Sequence, residues 1–328
     1  MKEPKSGDSL HQDVLNLTAY RHSIIEDFLH ERDTLMIAAE AGSGKSVIIT
    51  QLALSIAGGV PLFGTLEVPS PRKVFYLQLE GDYEESAERM RHMSERIPTT
   101  PTTWDNLCWL EWKKLDVMSP ASIQELFEVI KHHNNFIPDV FIVDPIYKTT
   151  SVDLKDGGAA IRIVRFSDSI HDRFNCAVIF VHHTHRSKYA SDGSGKIIES
   201  NPYYGHSFIQ NHIRTAYLLK SSVDKKSPSL IRTKGRGSDT ISNITLSYDP
   251  QTMTCWKGGG EAGLSSLDRV KTFIHLLKTQ NREADFSEFC EHCEVSSAWF
   301  RCLVKKPEIK ALLVERKSNH NKILYSAR

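Results

Sequence analysis

The segment that most narrows the fold lies at 34–57. An apolar run, Leu35-Met36-Ile37-Ala38-Ala39, enters the turn Glu40-Ala41-Gly42-Ser43-Gly44, and a helical stretch follows from Lys45. Strand, tight turn and helix in that order open an α/β fold. Residues Ala39 to Ser46 fit the pattern Gly-x4-Gly-Lys-Ser, except that Ala39 stands at the first glycine. Such a turn aims successive backbone N–H groups at a polyphosphate, which demands small residues at the closest approach, here Gly42 and Gly44. Ala41, Gly42, Ser43, Gly44, Lys45 and Ser46 are therefore the expected cradle for ATP. Lys45 reaches the β and γ phosphates and Ser46 ligates Mg2+.

Further apolar strands alternate with helical stretches: Lys73–Leu79 before 83–96, Asn106–Trp112 before 120–133, Val140–Val143 before 158–174, and then Ala177–Val181. That alternation predicts a parallel sheet covered on both faces. Ala216–Lys220, Ser229–Thr233 and Ile241–Tyr248 come without intervening helices and predict an antiparallel extension. The expected core is thus a mixed, mainly parallel α/β domain over 33–257, preceded by a helical cap at 1–32 whose helix runs over 11–32. A glycine-rich linker follows at 258–264. Over 265–328 the pattern predicts helices at 265–279, 285–293 and 297–305, then a hairpin of Ala311–Glu315 with Lys322–Ser326. Three helices and a β wing make a small winged-helix-like α+β domain.

Two strands end in acids. Asp139-Val140-Phe141-Ile142-Val143-Asp144 has the Walker B form, in which Asp144 supports Mg2+ through its water shell. Val74-Phe75-Tyr76-Leu77-Gln78-Leu79-Glu80 delivers a carboxylate at the strand end, where a parallel sheet places its ligand crevice. Glu80 is there the expected general base for the water that attacks the γ phosphate.

These elements, in this order, resemble the RecA-like branch of P-loop ATPases. Val178-Ile179-Phe180-Val181-His182-His183-Thr184-His185-Arg186 is similar to the strand and His-His-Thr motif of RepA-type hexameric replicative helicases, and Gly205 to Arg214 to the turn and helix that end in their arginine finger. The resemblance, over 20–250, implies a γ-phosphate sensor at His183, with His182 able to exchange roles with it, and a finger at Arg214. Leu230 to Arg236 resembles the Lys-x-Arg segment of DnaB-type helicases, so Lys234 and Arg236 compete for the finger's role. The chain departs from the pattern at His206, which interrupts a Gly-Ser-Ser run, and in everything after 260.

The resemblance implies an ATP-driven DNA-translocating motor: a hexameric homo-oligomer and a replicative helicase of a plasmid, phage or mobile element. Single-stranded DNA would be held through loops after the Walker B and sensor strands by Lys148, Arg186, Lys188 and Lys196, with Tyr147 or Tyr189 stacking on a base. Three alternatives stay open: a recombination or repair ATPase, a KaiC-like signalling kinase, disfavoured because Glu80-Gly81 stands where those proteins usually pair two glutamates, and an ATP-switched DNA-binding regulator. Net charge is +1, yet residues 265–328 carry 12 basic and 8 acidic side chains. That excess fits duplex DNA binding by the tail or a solvated helix face equally well. No apolar stretch suits a membrane span or a signal peptide, so the expected location is the cytoplasm. Six dispersed cysteines read as reduced packing residues.

Overall fold

The computed structural model describes residues 6–8, 11–12, 22–133, 136–184, 203–221, 227–235, 243–257, 266–292, 304, 307–317 and 323–327. The helix expected over 11–32 does not reach its C-terminal part. β1 (Ser23–Ile25) and β2 (Leu29–His30) form a hairpin there instead. Ile24, Ile25, Phe28 and Leu29, which have near-helical spacing, are all buried from this hairpin. Asp27 turns the chain with φ 57°, and tertiary burial outweighs the periodicity.

The core then runs β3 (Thr34–Ala39), α1 (Lys45–Gly58), β4 (Val74–Gln78), α2 (Tyr83–Ser94), α3 (Pro101–Asp105), β5 (Leu107–Glu111), α4 (Pro120–His132), β6 (Val140–Asp144), α5 (Gly157–Phe174) and β7 (Ala177–His183). A short α6 (Ser207–His212) leads to β8 (Thr215–Lys220), β9 (Ser229–Lys234), β10 (Asn243–Asp249) and β11 (Thr254–Lys257). The order of the nine-stranded sheet is β11-β10-β9-β8-β3-β7-β6-β4-β5. Pairing is parallel from β8 through β5 and antiparallel from β8 to β11. The mixed, mainly parallel sheet agrees with expectation; β11 and α3 were not anticipated.

Period-two alternation divides the core into two layers. Leu35, Ile37, Tyr76, Val140, Ile142, Ile179 and Val181 face α1. Met36, Phe75, Leu77, Phe141, Val143, Val178 and Phe180 face α4 and α5. Covered on both faces, these strands read as continuous apolar runs. From Ile48 to Gly58, α1 is buried on every side. Its one buried amide, Gln51, donates to the Cys255 carbonyl at 2.8 Å and accepts from the Cys255 N–H at 2.7 Å, tying α1 to β11.

The C-terminal residues form α7 (Ser266–Thr279), β12 (Ala284–Asp285), α8 (Phe286–His292), α9 (Pro307–Lys310), β13 (Leu313–Lys317) and β14 (Ile323–Ala327). The sheet order is β12-β14-β13, all antiparallel. Phe289 joins Phe273 and Tyr325 in an aromatic centre with ring separations of 4.7 and 5.6 Å. The hairpin stands one or two residues beyond its expected bounds. The linker at 258–264 and, apart from Val304, the helix expected at 297–305 fall outside the described residues. Among the described residues, no helix is long and apolar enough to cross a membrane.

Because Ile142 is fully buried in the strand that ends at Asp144, Ile142→Ala should leave a cavity that costs about 2–5 kcal/mol. A lowered denaturant midpoint in urea unfolding followed by circular dichroism checks this.

Candidate nucleotide site

The turn between β3 and α1 uses its glycines for backbone conformation. Gly42 and Gly44 have φ of 72° and 88°, a left-handed region that a side chain strains. A Cβ on either would meet nothing within 4 Å, so the space in front of the loop is open. Ser43 Oγ donates to the Glu40 carbonyl at 2.6 Å, pinning the loop on itself. Ser221 at the end of β8 donates to the Ser43 carbonyl at 3.0 Å. Ala41, Gly42, Gly44 and Ser46 are exposed on the outer side of this turn.

Lys45 folds back over the loop, half-buried. Its ammonium lies 3.1 Å from the Glu40 carbonyl, 3.4 Å from the Ala39 carbonyl and 3.4 Å from His183 Nδ1. Burial pulls its pKa down, while Asp144 and Glu80 pull it back up. A lysine with two long carbonyl contacts and two facing carboxylates suits an incoming polyphosphate.

Asp144 ends β6 and Glu80 lies two residues beyond the end of β4, its parallel neighbour, with Gln78 paired to Asp144 in register. The Tyr76 hydroxyl donates a short hydrogen bond to Asp144 Oδ2. Burial raises the Asp144 pKa, and the Tyr76 bond and Lys45 oppose the rise. Gln78 fixes the end of β4: its Oε1 accepts from Trp109 Nε1 at 2.6 Å and from Ser86 Oγ at 3.0 Å. Its Nε2 donates to the Glu80 carbonyl at 3.0 Å. Glu80 itself is exposed at the crevice.

Alternation decides between the two histidines. Ala177, Ile179 and Val181 face α1, and His183 continues that face. His182 is buried in the opposite layer, where its Nε2 bonds the Tyr204 carbonyl. Burial, then the Lys45 charge, hold the His183 pKa below the usual histidine value. Tyr147, in the 3-10 turn at Ile146–Thr149, completes the group. Its hydroxyl donates to Glu80 Oε2 at 2.6 Å and its ring packs edge-on to His183 at 5.0 Å. Burial and the Glu80 bond push its pKa well up. The side chain of Tyr147, expected to be able to stack on a base, is engaged within the crevice in this structure. Lys148, the next residue, is exposed.

A P-loop, a strand-end acid two strands away and an acid on the strand beyond are thus assembled on one rim. A family profile for an AAA domain, AAA_25, matches residues 3–188. The chain belongs to the AAA_25 family. No curated protein sequence matches it. Two solved structures are similar. A DnaB-like replicative helicase shares 12% identity at a TM-score of 0.50, over 75% of this chain and 66% of the helicase. The RadB recombinase shares 14% identity at a TM-score of 0.48, over 70% of this chain and 91% of the recombinase. The helicase likeness shows the fold alone, a RecA-like core.

Membership of the AAA_25 family implies nucleotide binding, for which the P-loop is the candidate site, and the oxygen donors there fit Mg2+ as well. Among the described residues no three His, Cys, Asp or Glu cluster as a metal cage. Mg2+ takes few protein ligands and completes its shell with phosphate and water. The exposed Ser46 hydroxyl and the half-buried Asp144 carboxylate, held on Oδ2 by Tyr76, are oxygen donors that would fit such a role.

The other expected residues lie elsewhere. Arg214 sits at the start of β8 beside Thr34, at the opposite end of β3 from Ala39, roughly 16 Å along the strand. Its Nη1 lies 3.5 Å from the buried Asp33 carboxylate. Lys234 lies at the same end and its ammonium contacts the Gln210 and Asn211 carbonyls at 2.5 and 3.3 Å, a favourable place for a cation at the end of α6. His206 interrupts the expected small-residue run and takes over capping: its Nδ1 accepts from the Phe208 N–H at 3.2 Å. Gly205, with φ 115°, is pressed against Leu154. Arg186, Lys188, Lys196 and Arg236 fall outside the described residues. Tyr76, Gln78 and Tyr147 were not anticipated in the site. Two polar side chains at alternate positions of an apolar strand, on the face that carries Glu80, were the available signal for the first two.

Because a Cβ at Gly44 meets no atom, Gly44→Ala should lose only about 1–2 kcal/mol of stability from its left-handed backbone. Nucleotide affinity should fall at least tenfold, because the turn can no longer hold its N–H groups in place. Urea unfolding and calorimetric titration with ADP, run on one preparation, separate the two effects.

Proposed function

We propose that this AAA_25 protein is an ATP-driven DNA-translocating motor of the replicative-helicase type, working as a homo-oligomeric ring, with a hexamer as the expected assembly. The observation that carries the reading is the convergence of Lys45, Asp144, Glu80 and His183 on one rim of a RecA-like sheet. In the proposed reaction Glu80 accepts a proton from the attacking water. The water oxygen bonds to the γ phosphorus while the bond to the β–γ bridging oxygen breaks, giving ADP and phosphate. Lys45 spreads the charge that develops on the transferred group. His183, held neutral by its surroundings, donates or accepts a hydrogen bond according to whether the γ phosphate is present. Ser46 and Asp144 would hold Mg2+, which would supply charge neutralisation.

Arg214 is on the far rim from its own P-loop, so its use in hydrolysis requires a neighbouring subunit. That favours a trans finger at Arg214, with Arg236 as its competitor and Lys234 beside it. Guanidinium suits the role because it is always charged and donates in a fixed fork. Single-stranded DNA would pass the loops at 147–155 and 186–203, where Lys148, Arg186, Lys188 and Lys196 hold phosphates without reading sequence. The fold over 266–327 supports a winged-helix-like module for duplex DNA or a partner, and plasmid, phage or mobile-element replication is the setting we propose.

Glu80→Gln should keep ATP affinity within about twofold and lower turnover by at least 100-fold, as expected for loss of a general base. A phosphate-release assay beside calorimetry reads both, and retained turnover removes Glu80 from the role. When Arg214→Ala subunits are mixed with wild type, activity should fall more steeply than simple dilution. A linear fall assigns the finger elsewhere. Strand displacement of a forked duplex tests translocation, and negligible stimulation of turnover by DNA favours an ATP-switched regulator.

A further inference from the structure

Glu80 is exposed two residues beyond the end of β4, and one of its two carboxylate oxygens is already engaged. Tyr147 donates to Oε2 at 2.6 Å across 67 residues of chain, and no side chain of β4 or α2 makes that bond. The same phenol ring rests edge-on against His183 at 5.0 Å. Tyr147 therefore touches both groups that the proposed reaction needs at the γ phosphate, and stands between them.

A phenol that donates to a carboxylate stabilises the charged form and weakens the acid as a base. It also holds the carboxylate in one rotamer. Tyr147 belongs to the turn Ile146–Thr149, which is anchored on one side by the buried Ile146 and by Thr149, whose hydroxyl donates to the Ile146 carbonyl at 2.7 Å. On its other side, Lys148 is exposed and its ammonium lies 5.5 Å from the Tyr147 ring centroid. Any polyanion that draws Lys148 outward acts on the backbone of the adjacent residue and removes a cation from the face of that ring.

We propose that Tyr147 is a positioning residue that restrains Glu80 in the resting protein, and that single-stranded DNA engaging the turn at Lys148 withdraws the phenol and frees the carboxylate for the attacking water. The inference rests on the reading of the chain as a DNA-dependent ATPase and adds the link between strand and hydrolysis. A charge-assisted hydrogen bond of this kind shifts the population of free Glu80 by about tenfold or more.

The test compares wild type, Tyr147→Phe and Tyr147→Leu in steady-state ATP turnover, with and without oligo(dT), beside calorimetric affinity for a non-hydrolysable ATP analogue. Tyr147→Phe should raise turnover without DNA by about tenfold, reduce the fold-stimulation by DNA correspondingly, and leave analogue affinity unchanged. Tyr147→Leu, which also removes the ring from His183, should behave alike or more strongly. Loss of turnover in both variants with analogue affinity intact overturns the restraint and makes the contact a productive one. Unchanged basal rates and unchanged stimulation overturn it also. If oligo(dT) fails to stimulate the wild type, the DNA-motor reading and the release step fall together. The restraint is then judged on the basal rates alone, and equal rates end it.

Discussion

A sheet buried on both faces leaves its polar chemistry one place to go, the rim where the parallel strands end. β3, β4, β6 and β7 all run the same way, so their C-terminal ends share that rim. The P-loop, Glu80, Asp144 and His183 follow from that direction alone. What alternation adds is the face. Tyr76, Gln78, Asp144 and His183 fall toward α1, which Lys45 begins. A polar group there costs free energy unless it finds a partner. The bonds of Tyr76 to Asp144, and of Trp109 and Ser86 to Gln78, meet that demand and make the rim rigid.

The electrostatics of the rim are poised and unfinished. Lys45 feels Asp144 and Glu80 in the same direction, against its own desolvation. Its carbonyl contacts at 3.1 and 3.4 Å are long for charged hydrogen bonds, so exchanging them for phosphate oxygens loses little. Burial and Lys45 both favour a neutral His183. A neutral ring keeps one donor and one acceptor, the property a sensor of phosphate requires.

The P-loop and the strand-end acids were legible because their chemistry needs particular residues at particular spacings. The strand–helix alternation was legible because burial on two faces writes apolar runs. The hairpin at 23–30 was not, since Ile24, Ile25, Phe28 and Leu29 satisfy a helical period as well as they satisfy burial from a turn. β11 was missed because only four residues, Thr254–Lys257, form it, and what holds them is pairing with β10 and the bonds of Gln51 on a distant helix. Tyr147 was expected, with Tyr189, only as a candidate to stack on a base. Its bond to Glu80 spans two strand ends that are neighbours only once the order β6-β4 is known. His183 was placed by the motif resemblance alone, with His182 able to exchange roles with it; parity along β7, which puts His183 on the face of α1, becomes usable only once that face is fixed.

The opposite rim follows a different rule. Arg214 and Lys234 stand there with the buried Asp33, which also receives His30 Nδ1 at 3.4 Å. A buried carboxylate stripped of its cations is costly. On the reading proposed above, a neighbour's γ phosphate would compete with Asp33 for the Arg214 guanidinium, and β3 connects that contest to the P-loop of the same chain. Asp33 directly precedes Thr34, the first residue of β3, and Ala39 is its last. On that reading, the six residues of β3 join the site a subunit owns to the site it would complete next door. Strain at one end of such a strut is transmitted because the interior around it is close-packed.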